Sequence, residues 1–172
     1  MSLRAPQGAV DINQRYKALL AITESISSHA NLKLLFKELP KQLRPVVDFD
    51  AVAVLLYEPA TAAMRLHVFE TINQLPVEPR TGNLIEVDQS AEGLSWKTQQ
   101  PILISPVSAE TRFPAYIRRL RADEIETLYC IPLTSSHRRL GAIAFGSRRA
   151  DAYAEPDLEF LRQVAKQAAV QN

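Results

Sequence analysis

The sequence predicts an α+β fold, a central and mainly antiparallel sheet with helices on both faces in α/β/α layers. Three observations carry that expectation. Two pairs of strand-like runs are each joined by a short connection, both ends of the chain read as amphipathic helices, and an irregular middle separates the two pairs. Strands joined as hairpins run antiparallel, and helices at the two termini are free to pack on a face of the sheet they form.

Over residues 10–30, Ile12, Tyr16, Leu19, Ile22 or Thr23, and Ile26 recur at a spacing of roughly 3.5, which predicts an amphipathic helix. Asn31 is a suitable N-cap for a second helix over 32–47, where Leu34, Leu35, Leu39 and Leu43 make a stripe. Pro40 and Pro45 should kink or shorten it. The run 51–57 has no charged side chain, so both of its faces should be covered, as in a central strand, and Glu58-Pro59 ends it. Residues 64–70 alternate more clearly and should complete the first hairpin. The middle offers short strands at 84–87 and 102–104, a helical turn over 92–98, and helical spacing over 113–121 through Tyr116, Ile117 and Leu120. Residues 127–133 and 140–146 form the second strand pair. The closing helix, 157–170, puts Leu158, Leu161, Val164, Ala165 and Ala168 on one face, with Pro156 tolerated in its first turn.

Composition bounds the function. A chain of 172 residues, 47% hydrophobic, can bury one substantial core. Its 20 basic and 19 acidic residues leave a net charge of +1, too little to concentrate on nucleic acid or on an anionic bilayer, so no direct contact with either is expected. The three basic clusters, Arg118-Arg119 with Arg121, Arg138-Arg139 and Arg148-Arg149, then read as solvated faces and turns. The longest apolar runs are too short to cross a bilayer, and Arg4, Gln7, Asp11 and Asn13 interrupt any signal-peptide core, so a cytoplasmic location is expected. Residues 1–9 are expected to be a leader or disordered, and 10–172 a single domain.

Five separated segments resemble the GAF domain family in order. They are Phe49-Asp50-Ala51 running into Leu56-Tyr57-Glu58-Pro59; Ala91-Glu92-Gly93-Leu94-Ser95-Trp96 continuing to Gln99-Gln100-Pro101; Glu110-Thr111-Arg112-Phe113-Pro114; Tyr129-Cys130-Ile131-Pro132-Leu133; and Leu140-Gly141-Ala142-Ile143-Ala144-Phe145-Gly146 with Asp157-Leu158-Glu159-Phe160-Leu161. The third and fourth are most similar to the N-terminal sensory GAF domains of enhancer-dependent, formate-sensing bacterial transcription activators. The resemblance implies a GAF/profilin-like sheet with the terminal helices on one face and a ligand pocket enclosed by the middle segment on the other. In such regulators the domain precedes an ATPase and a DNA-binding domain, which the resemblance implies as output domains if this is part of a longer chain; no G-x-x-x-x-G-K-[ST] phosphate loop occurs in it.

The expected function is therefore a small-molecule-sensing regulatory domain, not an enzyme. The alternatives are a dimerisation or signalling module without a ligand and, with less support, a GAF-type methionine sulfoxide reductase. The expected ligand contacts are Trp96, Arg112, Phe113, Tyr116 and His67. Three aromatics supply walls, and the planar fork of Arg112 suits a carboxylate, which makes the expected ligand small and anionic. No catalytic set, metal or cofactor is expected: His29, His67 and His137 are scattered, and the single cysteine, Cys130, excludes an internal disulfide and reads as a buried strand residue. The stripe of the first helix is wide, so a homodimer through the terminal helices is expected.

Overall fold

The computed structural model describes residues 13–19, 21, 32–71 and 82–169. The expected leader at 1–9, Ile12, Ile26 and the N-cap Asn31 lie outside them. A six-stranded antiparallel sheet in the order β3-β2-β1-β6-β5-β4 is the frame. Its strands are β1 (Ala51–Glu58), β2 (Ala63–Thr71), β3 (Leu84–Glu86), β4 (Ile102–Ile104), β5 (Thr127–Thr134) and β6 (Arg139–Ser147). The two predicted hairpins are β1–β2 and β5–β6, and the crossover pair β1–β6 joins them at the centre of the sheet. The helices are α1 (Leu32–Leu43), α2 (Ala91–Thr98), α3 (Pro114–Ala122) and α4 (Glu155–Ala169). Residues 13–19 are also helical. Pro40 sits inside α1 without ending it.

Side chains alternate strictly between the two sides of the central strands. Val52 and Val54 of β1, Tyr129, Ile131 and Leu133 of β5, and Ile143 and Phe145 of β6 belong to the larger core. Leu39 and Leu43 of α1 and Leu158, Leu161, Val164 and Ala168 of α4 cover that side. The N-terminal helical residues join the same layer: Ala18 is buried in this core, and Arg15 pairs with Asp157 at 2.5 Å and lies over the Phe160 ring. The opposite side carries Ala51, Leu128, Cys130 and Ala144, covered by α2 and α3.

The cover on this second side is held close by backbone contacts. Ser90 caps α2, its Oγ accepting from the Gly93 amide at 2.9 Å. Gly93 approaches the preceding turn so tightly that a Cβ there would lie 2.0 Å from the Val87 carbonyl oxygen. Val87 begins a 3-10 turn (Val87–Gln89), so β3 stops at Glu86, one residue short of the expected strand. Gln99 ends α2 in the left-handed region at φ 58°, its amide bonded to Ser95 O.

Candidate functional site

Between the second side of the sheet and α3 lies a cavity of about 320 Å³. That volume is at the small end of metabolite sites. Its floor is made of small side chains: the cross-strand partners Ala51 and Gly146, and Ala53 and Ala144, all line it. Each replaces what would otherwise be a large core residue, which leaves room above the sheet. Leu55, Leu66 and Phe69 extend the floor, and Leu120 and Ile125 close it from above.

A β-bulge shapes one end. The β1–β2 register pairs Val54 with Val68 and Leu55 with Leu66, stepping over His67. Leu66 and Phe69, three positions apart, therefore both face the cavity, whereas Val68 points into the opposite core.

Polar groups are few. The most informative is Glu92 in the first turn of α2, 3% exposed. Across from it stands Tyr116 of α3, also a cavity wall. Glu92 Oε2 and the Tyr116 hydroxyl are buried without an aligned hydrogen bond, although the two side chains and Cys130 stand close enough to interact. Burial pushes the Glu92 carboxyl above its ordinary range, with no cation beside it to bring it back. Burial likewise raises the Tyr116 phenol, and the Glu92 carboxylate and Cys130 raise it further. The thiol of Cys130, fully buried on β5, is pushed up by desolvation and then by Glu92. These three groups form a polar cluster held toward its neutral forms at the edge of an apolar chamber. Arg119 and Asp123 line the cavity near solvent.

The five expected contact residues separate. Tyr116 lines the cavity. Phe113 does not reach it but supports it: held at φ 58° just before Pro114, its ring is buried and meets Tyr116 edge-on at 6.1 Å. Trp96 stacks on Tyr57 at 4.0 Å and donates Nε1–H to Arg139 O, packing beside the chamber with Leu55 and Met64. Arg112 lies outside the wall with half of its side chain exposed, and its guanidinium is occupied by Glu110 at 2.8 Å. His67 lies at the bulge, and its charge reaches Glu58, whose carboxyl is lowered mainly by Arg65 and more weakly by His67. Glu92, Arg119 and the small-residue floor are the site features that sequence reasoning did not find. Among the described residues no group of three or more His, Cys, Asp or Glu is placed to hold a metal.

The family model described as GAF domain matches residues 31–171. The formate hydrogenlyase transcriptional activators of Escherichia coli K12 and of Salmonella typhimurium LT2 are each 24% identical over 160 residues. The match takes in 90% of this chain and 22% of theirs, so the chain spans about a fifth of the length of these relatives. Among solved structures, the GAF domain of a phosphoenolpyruvate-protein phosphotransferase from Coxiella burnetii superposes with a TM-score of 0.74 at 19% identity, covering 91% of each chain. The free methionine-R-sulfoxide reductase of Neisseria meningitidis gives the same TM-score at 15% identity, covering 94% of this chain and 90% of that one.

Proposed function

The chain belongs to the GAF domain family, and on that premise we propose that it is a small-molecule-sensing regulatory domain, the input domain of a cytoplasmic bacterial transcriptional regulator. The observation that carries this reading is the cavity: about 320 Å³ of mostly apolar space, walled in part by Glu92 and Tyr116, whose Oε2 and hydroxyl are buried without an aligned hydrogen bond. Buried polar atoms are nearly always satisfied, and an unsatisfied one costs about 1–3 kcal/mol. An occupant that satisfies them offsets that cost, so the site favours a guest with a polar head. The relatives' role as transcriptional activators supports the regulatory half of the proposal.

Catalysis has less to work with. The reductase reading needs a reactive thiol, and Cys130 is the only cysteine, fully buried and shifted away from the thiolate. A thermal-shift screen of small metabolites tests the proposal, with formate, 2-oxo acids, amines and cyclic nucleotides among them. A ligand at a hundred times its Kd stabilises by about 2.7 kcal/mol, a rise of roughly 5–11 °C for a domain of this size. The same ligand should not stabilise Ala53→Phe, whose ring fills the chamber. Failure of every compound class to raise the melting temperature would leave the module without a ligand.

A further inference from the structure

We propose that the cavity selects a cationic N–H donor on an apolar body, a primary amine or its close chemical equivalent, with the charged head seated on Glu92 and Tyr116. This inference rests on the cavity being a ligand site. Four observations support it. Glu92 is 3% exposed at the cavity wall, and no cation of the described residues forms an ion pair with it. Its Oε2 is buried without an aligned hydrogen bond, and Tyr116, which stands beside it, lines the same cavity. The nearest further titratable group, the Cys130 thiol, brings no positive charge. Apart from Thr71, Gln89, Arg119 and Asp123, the rest of the lining is apolar, with Phe69 and aliphatic side chains among it.

Charge decides the sign of the guest. Arg119, the basic residue of the lining, is exposed, and no cation of the described residues pairs with Glu92. An anion would leave Glu92 neutral and gain no opposite charge, whereas an ammonium group supplies the counter-ion that lets the carboxyl ionise and donates to it. Burial favours the protonated form of Glu92 in the empty cavity, so binding of an ammonium head ionises the carboxyl and its proton leaves to solvent.

Calorimetric titration of the whole chain with 2-phenylethylamine, 2-phenylethanol and 3-phenylpropionate, matched in body and differing in head, tests this. The amine is expected to bind at least roughly ten-fold more tightly than the alcohol, with the carboxylate weakest. Heats measured in buffers of different ionisation enthalpy should show proton release with the amine alone. In Glu92→Gln the amine should lose its advantage over the alcohol and its proton release, and the wild-type comparison stands even if that variant fails to fold. Equal or tighter binding of the alcohol or the carboxylate overturns the amine assignment and leaves the cavity a ligand site. No binding by any of the three overturns the assignment and removes support from the sensory reading as well.

Discussion

Replacing Glu92 by Gln isolates the energetic consequence of burying an acid without a counter-ion. In the folded chain Glu92 is 3% exposed and its pKa lies above the ordinary 4.5, because desolvation disfavours the carboxylate. An acid whose folded pKa is raised holds its proton more tightly in the native state than in the unfolded one. Its stabilising contribution is complete below the unfolded value and is lost as pH rises towards the folded value. Within that window the native state binds up to one extra proton, so stability falls by up to about 1.4 kcal/mol per pH unit relative to a residue that cannot titrate. Gln has nearly the same shape and no such penalty. The difference in stability, Glu92→Gln minus wild type, should therefore grow in favour of the variant from pH 5 upward, by up to about 1.4 kcal/mol for each unit in the window. For a domain of this size that is roughly 3–6 °C per unit in melting temperature. Urea unfolding of both proteins between pH 4.5 and 8, with no ligand present, measures it directly. Other groups cancel in the difference. A difference independent of pH would refute the reasoning, because it would mean that the carboxyl titrates alike in the folded and unfolded chains.

Gly93→Ala should destabilise by about 1–3 kcal/mol in chemical denaturation, since the new methyl lies 2.0 Å from the Val87 carbonyl and backbone must move to admit it. Cys130 should react with a thiol reagent only as fast as the domain opens, so labelling should accelerate sharply in denaturant; rapid modification of the native chain would contradict its burial. Tyr16, on the apolar stripe predicted for the first helix, is 62% exposed, and light scattering at micromolar concentration is expected to show a homodimer that Tyr16→Glu weakens.

Periodicity made the frame legible. Both hairpins, the short central helix and the face of α4 were readable because a buried face imposes its spacing on the residues that form it. The site was less so, for physical reasons that differ by residue. Tyr116 followed from its place on a helical stripe with Ile117 and Leu120. Arg112 looked like a ligand fork because sequence does not reveal that Glu110, two positions earlier, folds back on its guanidinium. Glu92 escaped notice because a carboxylate in the first turn of a short helix ordinarily faces water. The floor was invisible for another reason. An alanine in an apolar run reads as ordinary core, and only the pairing of Ala51 with Gly146 and Ala53 with Ala144 shows that the missing volume coincides. The bulge at His67 shifts the facing of β2 by one residue, which strict alternation cannot anticipate.

The alternation of β1 also sets the distance between the chamber and the helical layer. Ala53 touches the chamber, while its neighbours Val52 and Val54 are embedded among the residues that pack against α1 and α4. Chamber and helical layer are thus separated by the thickness of a single backbone, with no intervening hinge or relay. Hydrogen-bonded on both edges, β1 cannot yield at Ala53 without carrying those valines with it. A close-packed interior answers such a shove by repacking between discrete arrangements, not by compressing. The strand acts as a diaphragm, and the α4 side of it is where a displacement too small to alter the chamber's outline should be read.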